Sequence, residues 1–90
     1  MIFITLVKWK QGVPKKELQA GVEQFTPQLE ELEKKGIKVR IYWTLGRYDG
    51  VQILEAPTEK DAMKMMLSMQ DLVETETMVA IPREEAIKLL

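Results

Sequence analysis

The first strand-forming run constrains this chain more than any other segment. Ile2 to Trp9 is rich in β-branched and aromatic residues and reads as a β-strand. Successive side chains of a strand point to opposite faces. Ile2, Ile4 and Leu6 therefore share one face, and Phe3, Thr5, Val7 and Trp9 share the other. Both faces are apolar, so a sheet containing this strand needs cover on both sides.

The rest of the chain supplies cover for one side only. Gln11-Gly12-Val13-Pro14 reads as a turn. Leu18, Val22, Phe25, Leu29 and Leu32 then recur at the three- and four-residue spacing of one helix face. Thr26-Pro27 would either kink this helix or start a second segment, and the apolar register runs through it in both cases. Gly36, after two lysines, marks the helix end. Ile37 to Leu45 alternates, with Val39, Ile41, Trp43 and Leu45 on one side and Lys38, Arg40, Tyr42 and Thr44 on the other. Gly46-Arg47-Tyr48-Asp49-Gly50 is a hairpin signal, and Val51 to Ala56 is the third strand. Thr58 and Asp61 are spaced as a capping box at the start of a second helix, whose apolar face is Ala62, Met65, Met66 and Met69. Val73 to Ile81 is the fourth strand, and Pro82 opens a short C-terminal helix.

The order βαββαβ predicts one α+β domain over residues 1–90 with a ferredoxin-like arrangement. Right-handed crossovers place both main helices on one face of a four-stranded antiparallel sheet. The other face is apolar and has no helix. Two-fold pairing of two such faces into a homodimer is the expected cover, and two sheets packed face to face can enclose a cavity.

Composition removes several classes of function. The 90 residues contain no cysteine and no histidine. Thiolate nucleophiles, disulfides, imidazole bases and the common ligands of zinc and haem are therefore absent, and neither metal nor cofactor is expected. Acid–base chemistry would fall to Asp, Glu, Lys, Tyr or water. The methionines Met63, Met65, Met66 and Met69 raise a copper(I) reading, but on a helix Met63 and Met65 point apart and gap-filling is the commoner role. A net charge of -1 with mixed signs speaks against a nucleic-acid or membrane-surface partner. The opening Met1-Ile2-Phe3-Ile4-Thr5 lacks a basic leader region, so a cytoplasmic protein is expected.

Several short motifs carry a family resemblance across nearly the whole chain. Gly46-Arg47-Tyr48-Asp49 resembles the Gly-x-Tyr-Asp signature of the GYD-domain family. Thr5-Leu6-Val7-Lys8-Trp9 resembles that family's first strand, Glu55-Ala56-Pro57 the end of its third, and Thr75-Glu76-Thr77 its Thr-rich last strand. The resemblance implies a dimeric α/β barrel, a group that includes cofactor-free monooxygenases, isomerases and ligand-sensing modules. Two positions depart from the pattern. Gly50 stands where an apolar strand residue is more usual, and Gln52 lies in a strand the family keeps aliphatic.

Two sets of residues are candidates for function. At the hairpin, Tyr48 and Asp49 would serve as proton donor and base, and Arg47 would hold an anionic group. A plain turn explains the same residues, with positive φ at Gly46 and Gly50 and Asp49 bonded to its own backbone. In the sheet, Arg40, Tyr42 and Thr44 would line the barrel if Val39, Ile41 and Trp43 pack on the helices, with Thr5 and Trp9 facing the same space. These would bind a small, partly apolar molecule, or else fill the barrel as interface contacts. A non-catalytic sensing or structural module is the competing reading.

Overall fold

The computed structural model describes residues 1–90. The elements are β1 (Ile2–Trp9), α1 (Lys15–Lys34), β2 (Lys38–Trp43), β3 (Gly50–Glu55), α2 (Glu59–Met69), β4 (Val73–Ala80) and α3 (Arg83–Ile87). The strands form one antiparallel sheet in the order β2-β3-β1-β4. This is the ferredoxin-like βαββαβ arrangement, with β1 in the interior of the sheet.

Strand register assigns every side chain to a face. Phe3 lies opposite Leu54 and Val79, and Leu54 lies opposite Val39. Thr5 lies opposite Gln52 and Thr77, and Gln52 opposite Ile41. Val7 lies opposite Gly50 and Thr75, and Gly50 opposite Trp43. Phe3 and Leu54 pack with Ala62 and Met65 of α2, and Phe25 and Leu32 of α1 pack against the same cluster. Both helices therefore cover the Phe3 face. Ile2, Ile4, Leu6, Val51, Ile53 and Met78 face the other way, where no helix lies.

The helix ends follow their local chemistry. At the end of α1 the Ile37 N–H donates to the Leu32 carbonyl and the Gly36 N–H to the Glu33 carbonyl, both at 3.0 Å. This is a Schellman end, and it needs the positive φ of 81° at Gly36. Its usual apolar contact is present too, because Ile37 is in the core and Leu32 packs against that core. At the start of α2 the Thr58 N–H donates to Asp61 Oδ2 at 3.2 Å, the capping box with Asp in place of Glu.

Pro27 neither kinks α1 into two segments nor starts a new one. A single helix of 20 residues runs through it. The neighbouring Thr26 hydroxyl donates to the Val22 carbonyl at 3.0 Å, a local side-chain bond within the same stretch. Gly21 permits the close approach of α1 to the segment after α2, since a Cβ there would overlap Leu72 Cδ1.

Only ten of the ninety residues are buried, and none of them is in α1. Every residue from Ile81 to Leu90 is exposed, including Ile87, Leu89 and Leu90. The domain is a thin, two-layer plate of 47 × 32 × 18 Å.

The Schellman end gives a direct test. Gly36→Ala forces a Cβ into the left-handed region, which costs about 1 kcal/mol. The expected result is a thermal midpoint lower by about 4–8 °C. An unchanged midpoint would show that this turn does not set the α1–β2 connection.

Candidate ligand-binding cleft

The two layers close at one end and part at the other. The core holds Phe3, Leu54, Val39, Phe25 and Leu32 together. Towards the far end of the sheet, α1 stands off the strands and leaves a cleft of about 480 Å³. Its sheet side includes Val7, Trp9, Ile41, Trp43 and Gly50, and its helix side includes Leu18, Gly21, Val22, Phe25 and Leu29. Met69 and Leu72 close the third side. The apolar stripe of α1 is thus divided. Phe25 and Leu32 reach the core, while Leu18, Val22 and Leu29 look into open space.

The two tryptophans shape the cleft. Their rings meet edge to face, with centroids 5.6 Å apart and planes at 80°. Trp43 is 69% exposed, an unusual cost for so large an apolar ring. An outer recess of about 340 Å³ continues from this pair along α1, past Lys15, Leu18 and Glu23. Gly50 contributes by absence. Its φ is not positive, contrary to the sequence expectation. A Cβ there would lie 3.2 Å from the Tyr42 carbonyl oxygen and 3.8 Å from Val7 Cβ, on the side of the sheet that lines the cleft.

The hairpin residues act at a distance from their own turn. The Asp49 carboxylate accepts the backbone N–H of Trp9 at 2.8 Å, and the Asp49 N–H donates to the Val7 carbonyl at 2.8 Å. It does not bond its own turn as an Asx motif would. The Tyr48 hydroxyl donates to Glu76 Oε2 at 3.1 Å, so the bond reaches across β1 to β4. The Arg47 guanidinium lies 5.7 Å from the Tyr48 ring centre. Thr44, past the end of β2, donates its hydroxyl to the Tyr48 carbonyl at 2.7 Å. Asp49 and Tyr48 hold the β2–β3 connection against the sheet, while Arg47 and Thr44 make contacts within it.

The five expected lining residues do not converge. Arg40 and Tyr42 point to the open face, as the packing of Val39 and Ile41 requires. Thr5 and Trp9 point to the helix face instead, because Thr5 pairs with Gln52 and Gln52 with Ile41. The sheet therefore separates Thr5 and Trp9 from Arg40 and Tyr42. Thr5 is buried and its hydroxyl pairs with that of Thr77 at 3.0 Å. Trp9 is the one residue of the set that lines the cleft. Sequence reasoning missed the helix-side residues Leu18, Val22 and Leu29 as cleft walls. Their spacing showed one helix face but not that the face stands clear of the sheet.

A ferredoxin-like plate with a cleft under its first helix is the class this geometry defines. A de novo designed protein, Ferredog-Diesel, has the same fold, with a TM-score of 0.63 at 17% identity over 87% of this chain and 83% of that chain. No curated protein matches the sequence. The GYD domain profile matches residues 3–90, and the chain belongs to the GYD-domain family.

The bond from Asp49 to Trp9 predicts a stability effect. Asp49→Ala leaves the partly buried Trp9 N–H unpaired, at a cost of about 1–3 kcal/mol. Tyr48→Phe removes one exposed bond and should cost about 0.5 kcal/mol. Chemical denaturation of both variants checks the order, and an equal loss in the two would refute the assigned role of Asp49.

Proposed function

We propose that the protein is a homodimer in which each protomer binds a small, partly apolar metabolite in the cleft between α1 and the sheet. The observation that carries this reading is the cleft itself. Its volume of about 480 Å³ lies in the range of small-molecule sites, roughly 300–1,000 Å³. Its walls are mostly apolar, and the two tryptophan rings offer flat surfaces for stacking. A helix whose apolar stripe has no fully buried residue leaves area for a ligand to cover.

Binding is favoured over turnover by the state of the polar groups. Asp49 and Tyr48 are already engaged in fixing the hairpin, and Arg47 stacks on Tyr48. The carboxylates nearest the cleft, Glu17 and Asp71, are exposed at its rim. This reading moves the ligand from the space between paired sheets to the space beneath the helix.

The homodimer rests on the opposite face. Ile2, Ile4, Leu6, Val51 and Ile53 form an apolar centre there, with no helix above them. Lys38 and Arg40 lie at one edge of that face, on β2, and Glu74 and Glu76 lie at the other edge, on β4. A two-fold axis parallel to the strands lays β2 of one copy over β4 of the other, with Arg40 level with Met78 and Tyr42 level with Glu76. An axis across the strands would place like over like. The exposed apolar side chains of residues 81–90 extend the surface available to a second copy.

Naphthalene serves as a probe of the cleft. Saturating naphthalene is expected to shift the indole N–H resonances of both Trp9 and Trp43, and Val22→Phe, which narrows the cleft from an exposed helix position, should weaken that binding severalfold. Undisturbed indole resonances would sink the cleft reading.

Assembly has a separate test. Sedimentation analysis should give a dimer for the unaltered chain and a folded monomer for Ile53→Lys, since a charge in the centre of an apolar interface is costly. A monomer in both cases would refute the pairing.

A further inference from the structure

The charges that line the cleft are all of one sign. Glu17 and Asp71 are among its lining residues, and no lysine or arginine is. The outer recess beside it is balanced, with Lys15 against Glu23. Neither Glu17 nor Asp71 is held by a cation of the chain, because the domain's ion pair joins Lys34 to Glu31 at the far end of α1. An apolar cavity whose charged lining groups are two unpaired carboxylates repels anions and favours cations.

Three contacts bring these carboxylates to one side of the cleft, next to Trp9. Gly21 of α1 meets the segment after α2 so closely that a Cβ would overlap Leu72 Cδ1. Glu17 stands one helical turn before Gly21 on the same face, and Asp71 directly precedes Leu72. The Lys10 N–H donates to the Leu72 carbonyl at 3.0 Å, and Trp9 lies opposite Val73 in the ladder. This side of the cleft thus joins the start of α1, the turn before β4 and the end of β1. The rings of Trp9 and Trp43 continue from it with their planes at 80°. Trp43 is 69% exposed, so its ring surface is open to a ligand. The face of an indole attracts an ammonium group more strongly than other aromatic side chains do.

We propose that the cleft selects an organic cation, an ammonium group on a short stem joined to an apolar body. This rests on the cleft reading above and names the class of its occupant. The body lies beneath Leu18, Val22 and Leu29, and the ammonium rests at the rim between Glu17, Asp71 and the Trp9 ring. Apolar contact supplies most of the affinity, since both carboxylates are exposed and their attraction is screened by salt. Charge supplies the choice among ligands of one shape, because a carboxylate at the same place would face two like charges. A bare metal ion does not suit the site, since no three acidic side chains gather to hold one.

The test compares probes of nearly one shape at neutral pH: 2-naphthylmethylammonium, 2-naphthylmethanol and 2-naphthoate. Indole N–H shifts of Trp9 and Trp43 report occupancy of the cleft. The unaltered protein should bind the ammonium about tenfold more tightly than the alcohol, and 2-naphthoate more weakly than either. Added salt should shrink the preference for the ammonium. With Glu17→Gln and Asp71→Asn together, ammonium and alcohol should bind within about twofold of each other. Glu84→Gln with Glu85→Gln removes the same charge from α3. That helix follows the end of β4 that lies beside Ile2, away from the cleft, so this variant should keep the preference. The readout is a preference between two probes, which a role of Glu17 in the first turn of α1 does not imitate. If the probes shift the indoles but ammonium and alcohol bind alike, the inference is refuted and the cleft stands. It is refuted as well if the Glu17 and Asp71 changes leave the preference intact, or if the Glu84 and Glu85 changes abolish it. If no probe shifts the indoles, naphthalene included, the cleft reading itself falls, and this one with it.

Discussion

The hydrogen bond from the Trp9 backbone to the Asp49 carboxylate joins the two ends of the structure that matter most. Its partners are 40 residues apart in the chain and 2.8 Å apart in space. Trp9 is the last residue of β1, where the ladder is running out. Trp9 still pairs with Val73 of β4, and the Asp49 carboxylate supplies the partner that β3 no longer offers on the other side. With it, the Trp9 ring stands against Trp43 and walls the cleft. The Gly-Arg-Tyr-Asp-Gly hairpin thus acts through backbone placement. Asp49 ties β1, Tyr48 ties β4, and Gly50 keeps the floor low. One short sequence fastens three strands of the sheet.

The cleft follows from how little a chain of this size can bury. Two helices must cover a four-stranded sheet, and α2 is only 11 residues long. Ala62 and Met65 of α2 seal one end of the plate with Phe3 and Leu54. At the other end Gly50 and Val7 lie at the floor between the larger Trp9, Ile41 and Trp43, and the floor does not reach α1. Helix α1 continues through Pro27 as one element of 20 residues. The space it leaves over the strands is the groove lined by Leu18, Val22 and Leu29.

Much of this was legible in the sequence because it is local. The apolar stripe of α1, the glycine at its end and the Thr58–Asp61 cap depend on spacings of three or four residues, and each is found where that spacing puts it. The alternation of β1 and β2 was equally plain. Alternation states which residues share a face, but not how the faces of different strands align. That is a matter of register, and a shift of one residue exchanges the faces. Thr5 and Trp9 were grouped with Arg40 and Tyr42 on that uncertain step, and the pairing of Thr5 with Gln52 separates them. Asp49 was obscured for a different reason. An aspartate before a glycine is a sufficient explanation of a turn, so nothing local pointed to a bond with Trp9.

The strand β1 serves both proposed surfaces at once. Ile2, Ile4 and Leu6 face the proposed partner, and Val7 and Trp9 face the cleft. A ligand that settles against Trp9 would act on the same backbone that carries Leu6, and the Asp49 bond limits how far that backbone can move. Tyr48 adds a second link, since its bond to Glu76 reaches the β4 edge of the face proposed for pairing. Pairing and binding then share structural elements without sharing a space. The interior of a barrel formed by two sheets would be filled by aliphatic side chains, and the ligand would sit outside it, under the helix of each protomer. The thinness of the plate makes this division natural. A sheet covered on one face by loosely seated helices has two apolar deficits, and a second copy and a small ligand each relieve one of them.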